Sequence, residues 1–367
     1  MKITVVISSL SCGGAERVLS SMANFWVDHG NQITFITLAS SDRDFYKLDD
    51  RINRVSLDLM KDSVNIFSAI KNNLTRLTHL RRVFKSYDSD VIISFQSAMN
   101  VMVLLAGIGM SAPIIVSERV DPRFFFKGVV WNTVRFLIYP LSAAVVVQST
   151  DVKKWMSKIV VNKKIHIVPN PVSSFKKITD DKFEFDITSP FVVAMGRLVH
   201  QKGFDMLLQS FAQCAPEYEE WSLVIIGDGA DRDKLESLSK KLHIEKRVRF
   251  VGRVTEPGAI LERANMFVLS SRYEGFPNAL CEAMSCSLPV VSFDCPSGPS
   301  SIVRNGTDGI LVPAEDICAL ASAMDQLMKD ENKRLMMGRL AKDIVHRFSM
   351  EKVMSIWEKL IHSLVRK

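Results

Sequence analysis

Met266-Phe267-Val268-Leu269-Ser270-Ser271-Arg272-Tyr273-Glu274-Gly275-Phe276-Pro277-Asn278-Ala279-Leu280-Cys281-Glu282 reads as one structural unit. Met266 to Leu269 is short and wholly apolar, as a strand buried on both faces is. Ser270 to Gly275 is small and polar and turns the chain. Pro277, whose fixed φ and missing N–H cost nothing in a first turn, opens a helix. A strand that ends in a turn and starts a helix is the repeating unit of a parallel sheet covered by helices.

The same rhythm extends outward from this unit. Apolar runs at Phe191 to Met195, Ser222 to Ile226, Val248 to Val251, Pro289 to Phe293 and Gly309 to Val312 share it, separated by helical patterns. An earlier series occupies Ile3 to Ile7, Gln32 to Leu38, Val91 to Phe95, Pro113 to Ser117, Ala143 to Gln148 and Ile165 to Pro169, and a polar stretch from Ser173 to Ser189 divides the two. The expected fold is α/β, with two Rossmann-like, doubly wound parallel-sheet domains at 1–172 and 173–349. A final helical stretch, 350–367, packs on one of them or crosses back to the first. A chain of 367 residues with 47% apolar content holds enough material for two such cores. Open α/β sheets bind ligands at the carboxyl ends of their strands, so two facing domains predict a cleft between them.

Composition narrows the function classes. The six cysteines show no C-x-x-C spacing, which argues against a zinc site or a disulfide framework and fits a reducing compartment. Ile3 to Leu10 is too short for a signal-peptide core and runs into a Gly-Gly turn. Val91 to Ser117 carries no charged residue and has the length of a membrane span. Gly107, Gly109 and Pro113 instead divide it into a strand, a buried helix and a second strand. The net charge of +7 is uneven, since residues 1–172 hold 21 Lys+Arg against 13 Asp+Glu. That basic half suits a phosphorylated substrate or an anionic membrane surface, whereas no nucleic-acid reading motif accompanies it.

Three segments carry candidate chemistry. At Gly13-Gly14-Ala15-Glu16-Arg17 a strand ends in bare backbone and a helix begins, a geometry suited to an anion or a packed sugar, although it lacks G-x-G-x-x-G spacing and also serves plain turns. Between Ala194 and Gly203, Arg197 closes a strand and Lys202 precedes a helix. The first supplies a planar fork and the second a point charge, together a clamp for a diphosphate; two solvated surface cations are the alternative. In the opening unit, the helix N-terminus at Pro277 offers N–H donors and a favourable dipole to a phosphate. Glu274 and Glu282 are about eight residues apart, too far to share a proton as a dyad, and each suits a hydroxyl, one of a hexose and one of a ribose.

These segments, with Gly227-Asp228-Gly229, Phe250-Val251-Gly252-Arg253 and Asn305-Gly306-Thr307-Asp308-Gly309, occur in the order seen in retaining family 4 glycosyltransferases of the GT-B fold. The chain resembles that family over nearly its whole length. Ser117-Glu118-Arg119 with Cys295-Pro296-Ser297-Gly298-Pro299 looks like the bacterial members that extend lipid-linked sugars for O-antigen, capsule or exopolysaccharide. The resemblance implies that Arg197 and Lys202 hold the donor diphosphate, that Glu274 binds the transferred sugar and that Glu282 binds the ribose. It also implies that backbone from Gly275, Phe276, Pro277, Asn278 and Ala279 touches sugar and phosphate, that Val251 to Arg253 frames the base, and that Gly14 lies on the opposite wall. The implied donor is a nucleotide sugar, UDP-linked, carrying a hexose or N-acetylhexosamine, and the implied acceptor is a polyprenyl-diphosphate-linked saccharide. No metal or other cofactor is implied, in keeping with the absence of an Asp-x-Asp at a strand end. The implied location is the cytoplasm, peripherally on the inner face of the cell membrane.

One position departs from the family pattern. Many relatives place a His where this chain has Arg119, and Arg cannot act as a base at neutral pH. Its expected role is electrostatic, at a donor or acceptor phosphate; simple pairing with Glu118 or Asp121 is the alternative. No carboxylate is placed as a nucleophile, so retention is expected through a front-face route in which the leaving phosphate accepts the acceptor's proton.

The basic half holds two amphipathic candidates. Ile66, Ile70, Leu74, Leu77 and Phe84 share a helical face beside Lys71, Arg81, Arg82 and Lys85, and Arg123-Phe124-Phe125-Phe126-Lys127 with Trp131 and Arg135 mixes aromatics with cations. Both suit an anionic headgroup layer or a lipid diphosphate, and packing of the helix on its own sheet is the alternative. Two other functions share the architecture: a sugar-nucleotide epimerase, which needs acid and base groups converging on the sugar, and a catalytically silent nucleotide-sugar or lipid-binding protein.

Overall fold

The computed structural model describes residues 1–60, 64–124, 129–173, 175 and 190–365. The chain forms two compact units, Met1–Pro171 together with Met350–Lys367, and Val172–Ser349.

In the first unit seven strands, β1 (Lys2–Ile7), β2 (Gln32–Thr37), β3 (Asn53–Ser56), β4 (Val91–Phe95), β5 (Ile114–Ser117), β6 (Ala144–Val147) and β7 (Ile165–Ile167), form one sheet in the order β3-β2-β1-β4-β5-β6-β7. Every pairing is parallel. Strands β4, β5 and β6 are buried along their whole length, which explains their unbroken apolar runs. The uncharged stretch from Val91 to Ser117 is β4, the helix Ser97–Ala106 and β5. Among the described residues no helix is long and apolar enough to cross a membrane. Strand β3 was not signalled by any apolar run: Asn53-Arg54-Val55-Ser56 is an edge strand, only partly buried, held by backbone pairing to β2.

The second unit has six parallel strands, β8 (Phe191–Met195), β9 (Ser222–Ile226), β10 (Val248–Gly252), β11 (Met266–Leu269), β12 (Val290–Asp294) and β13 (Gly309–Pro313), in the order β10-β9-β8-β11-β12-β13. The strand order reverses between β8 and β11, the point where an open α/β sheet leaves room for a ligand beyond its strand ends. The Arg197/Lys202 loop leaves β8 and the Glu274 turn leaves β11, so this topology sets the two loops side by side.

The helix Met350–Val365 belongs to the first unit. Its buried stripe is Val353, Met354, Trp357, Leu360 and Ile361, while Ile356, which the helical period places with them, is 41% exposed. Trp357 is fully buried, stacked on Phe95 at the end of β4 (ring centroids 6.2 Å) and edge-on to Trp26 (6.3 Å) in the helix Gly14–Asp28.

Candidate active site

The site in the second unit is assembled around glycines that let backbones touch. Gly203 adopts φ +63°, and a Cβ there would lie 2.0 Å from the carbonyl oxygen of Ser270; a Cβ on Gly227, at φ +136°, would lie 1.9 Å from that of Gly196. Both contacts are far inside van der Waals range, so only glycine is accommodated. The β8 loop is therefore held against the β11 turn on one side and the β9 turn on the other.

This close approach brings two of the expected residues together. Lys202 Nζ donates to Glu274 Oε1 at 2.6 Å, and Ser271 Oγ donates to the same oxygen at 2.6 Å. The Glu274 side chain is nearly buried and Lys202 is mostly so. The Glu274 N–H donates to the carbonyl of Pro296 in the loop after β12. Arg197 is exposed at the end of β8. Burial raises the Tyr273 phenol above its ordinary range, and the nearby charge of Arg197 opposes that shift.

The helix that follows spans Asn278–Ser285, with Pro277 as its cap residue, one position later than the sequence suggests. Leu280 N–H and Cys281 N–H close the first turn onto the Pro277 carbonyl. The Phe276 side chain turns into the core, edge-on to Phe348, so at that position only backbone is left to face the helix start. Gly298, at φ +140°, packs on the Pro277 ring and fixes the helix entry from the β12 side. Glu282 lies in the second helical turn and is buried. Val251 and Arg253 flank Gly252, where the β9–β10 register slips and φ is +74°; Val251 is half-buried and Arg253 exposed. Among the described residues no group of three or more His, Cys, Asp or Glu side chains could hold a metal ion.

Against this geometry the comparisons with known proteins are specific. Residues 12–174 match Glycosyltransferase Family 4, and residues 175–344 match Glycosyl transferases group 1. A Campylobacter jejuni protein, GalNAc-alpha-(1->4)-GalNAc-alpha-(1->3)-diNAcBac-PP-undecaprenol alpha-1,4-N-acetyl-D-galactosaminyltransferase, is 31% identical over 363 residues, 98% of this chain and 98% of that protein. The chain belongs to the family 4 glycosyltransferases. Its fold is GT-B: sucrose-phosphate synthase from Thermosynechococcus elongatus superposes with a TM-score of 0.85 at 17% identity, covering 99% of this chain and 98% of that one. TarM of S. aureus, solved with UDP and other ligands, gives 0.81 at 14% identity, covering 98% and 99%.

In the first unit of this glycosyltransferase, Gly14 opens the helix Gly14–Asp28 beyond the end of β1. Glu16 folds back over that turn, so that a Cβ on Gly13 would meet its carboxylate at 2.2 Å, and it accepts from Gln96 Nε2 at 3.1 Å. Gln96, at φ +77° directly after β4, also accepts from Ser8 Oγ at 2.7 Å. These contacts join the ends of β1 and β4, and nothing in the local sequence announces Gln96.

Arg119 lies just beyond β5 and is 7% exposed. It pairs with neither neighbouring acid. Its Nη1 donates to Asn170 Oδ1 at 2.5 Å, its guanidinium lies 3.6 Å from the centre of the Phe95 ring, and Nε and Nη2 have no hydrogen-bond partner. Glu118 instead accepts from Ser97 Oγ and the Tyr139 hydroxyl, and Asp121 pairs with Arg123 at 2.6 Å. Burial pulls the Arg119 guanidinium down to about 9, which leaves it charged at neutral pH.

The cations assigned to an acceptor or membrane separate into two groups. Lys71, Arg82 and Lys85 are exposed on the helix Ile66–Ser86. Arg81 donates to the carbonyls of Ala106 and Ile108, capping the end of the helix Ser97–Ala106, and Arg123 is held by Asp121. Arg135, which the sequence sets among surface cations, is fully buried close to the Glu118 carboxyl. Lys127 lies outside the described residues. The helix Ile66–Ser86 buries only Leu80 and Phe84, and its first half is turned outward, with Phe67 80% and Ile66 71% exposed. Ile70 and Leu74 continue that exposed face, so simple packing on the sheet accounts only for its second half.

Proposed function

We propose that this glycosyltransferase moves an N-acetylhexosamine or hexose, with retention, from a UDP-linked donor to a polyprenyl-diphosphate-linked saccharide in bacterial glycan assembly. The observation that carries this reading is the Lys202–Glu274 pair, set beside a helix N-terminus at the β8/β11 switch point. Lys202 and Arg197 supply cationic charge for the diphosphate, and the helix start adds N–H donors and a favourable dipole. Glu274 accepts from sugar hydroxyls, Glu282 from the ribose, and Val251 to Arg253 line the base. Arg119, buried, charged and without a carboxylate partner, lends positive potential beyond β5 for a donor or acceptor phosphate. The acceptor and sugar class follow the Campylobacter jejuni relative, whose name specifies an undecaprenol-linked acceptor and an alpha-linked N-acetylgalactosamine. UDP as the carrier follows TarM.

Catalysis in this scheme is positioning and charge stabilisation. The bond from the anomeric carbon to the donor phosphate breaks as the acceptor hydroxyl adds from the same face, and the departing phosphate oxygen takes the hydroxyl proton. No metal enters the scheme. A panel of UDP-, GDP- and dTDP-sugars offered with an undecaprenyl-diphosphate saccharide, scored by product mass, is expected to give extension with a UDP-N-acetylhexosamine and equal turnover in EDTA. Extension only with a GDP- or dTDP-sugar, or loss in EDTA, overturns the donor or metal-free part respectively.

The same reading places the enzyme on the inner face of the membrane. The helix Ile66–Ser86 has no acidic residue, and along it Lys71, Arg82 and Lys85 are exposed, as are Ile66, Phe67, Ile70 and Leu74. An apolar face bordered by cations matches an anionic bilayer, into which the apolar side chains sink while the cations meet phosphate. Vesicles rich in anionic lipid are expected to sediment the enzyme, and Phe67→Glu/Ile70→Glu to abolish this without altering thermal stability. Equal binding by that variant, or none by the wild type, rules out docking through this helix.

A further inference from the structure

Arg272 sits next to Ser271 in the Glu274 turn, yet its side chain points at protein rather than at the site. Its Nη1 donates to the carbonyl of His200 at 2.7 Å and to Asp205 Oδ1 at 2.9 Å, and its Nη2 donates to Asp205 Oδ2 at 2.7 Å. Its Nε lies 3.3 Å from Glu315 Oε2. Four of its five N–H groups therefore face protein acceptors, and the side chain is only 14% exposed. Burial alone would raise the Asp205 carboxyl, but the hydrogen bonds and charge of Arg272 outweigh it and hold the group below the usual carboxylate range. The Arg272 backbone N–H donates to the Gln201 carbonyl at 2.8 Å, Gln201 Nε2 to the Tyr273 carbonyl at 3.0 Å, and Ser270 Oγ to the Lys202 carbonyl at 3.0 Å. The bonds to His200 and Asp205 lie on either side of Lys202 in the chain.

We propose that Arg272 is a positioning residue for donor binding: it brackets Lys202 from both sides and fixes its backbone against the Glu274 turn, presenting the ammonium to the diphosphate. The inference rests on the donor site described above. Lysine is a point charge on a flexible stem, so where its backbone is held decides where its charge can reach. A guanidinium forked between a carboxylate and a carbonyl holds direction as well as distance, which an ammonium at the same position would not. With its donors already occupied, Arg272 has little left to offer a phosphate directly, and its influence passes through Lys202.

Calorimetric binding of UDP to the full-length wild type, Arg272→Ala, Arg272→Lys, Asp205→Asn, Lys202→Ala and the Arg272→Ala/Lys202→Ala double variant tests this, with a thermal melt of each. Arg272→Ala is expected to weaken UDP about tenfold, with Arg272→Lys recovering only part of the loss. Asp205→Asn, which keeps the bulk of the bracket, is expected to weaken it less. The double variant is expected to bind within about twofold of Lys202→Ala, because two residues acting through one contact are not additive. Wild-type affinity in Arg272→Ala, or a double variant showing the product of the two single losses, overturns the bracket while leaving the donor site standing. A wild type that does not bind UDP overturns the donor reading and the bracket with it.

Discussion

Lys202→Ala and Glu274→Ala are each expected to lower turnover by about 10²- to 10³-fold, the range seen when one preorganised charge-stabilising group is removed from a transition state. The two side chains are joined at 2.6 Å, so each substitution also removes the partner of the other. Lys202→Ala leaves a nearly buried Glu274 with Ser271 Oγ on the same oxygen, and an uncompensated buried charge costs about 3–5 kcal/mol of stability. Loss of activity in that variant alone thus confuses chemistry with folding. Lys202→Met/Glu274→Gln separates them: it keeps volume and removes both charges, so its melting temperature is expected near that of the wild type while turnover stays as low as in either single variant. Steady-state transfer assays beside thermal melts decide the matter, and near-normal turnover in any of the three removes this pair from the mechanism.

Trp357→Ala is expected to be the most destabilising single change in the first unit. Its ring is fully buried, stacked on Phe95 and edge-on to Trp26, and large-to-small changes of a buried Trp cost about 3–5 kcal/mol through lost burial and the cavity left behind. The Arg119 guanidinium, 5.9 Å from the same ring, loses one of its two aromatic neighbours as well. A fall in melting temperature of roughly 10 °C is expected, with hydrogen exchange rising first in Met350–Val365, and Trp357→Phe is expected to retain most of the stability. Unchanged exchange in that helix would show that its attachment lies elsewhere along the stripe.

The fold was legible in the sequence because parallel strands are buried on both faces and so appear as apolar runs. Where burial is partial the signal disappears: Asn53-Arg54-Val55-Ser56 is held to β2 by backbone pairing and by the Arg54 side chain, which donates to Thr37 Oγ1, and it reads as loop. In the second unit, the local residues that shape the site, Gly203, Gly227, Gly275 and Pro277, are themselves the signal. They dictate backbone, and backbone is what brings Lys202 to Glu274. Arg272 carried no such mark, since its meaning depends on Asp205, a partner 67 positions earlier that only the β8–β11 adjacency brings near. The first unit was harder for the same reason. Arg81, Arg123 and Arg135 look alike in sequence, yet one caps a helix, one is tied to Asp121 and one is buried close to Glu118. Periodicity tells which face a cation occupies and says nothing about the acid or carbonyl it will meet.

The place of Met350–Val365 in the first unit also bears on how the chain is made. All of Val172–Ser349 is synthesised between Pro171 and the helix that completes the first unit. At about 5–20 residues per second this interval is on the order of 10 to 40 s. Throughout it Phe95 and Trp26 lack their Trp357 neighbour on the nascent chain, and the first half to leave the ribosome is the last to be finished. A chain halted anywhere in its second unit is left with that apolar surface uncovered, because the sixteen-residue helix that carries Trp357 has not yet been made.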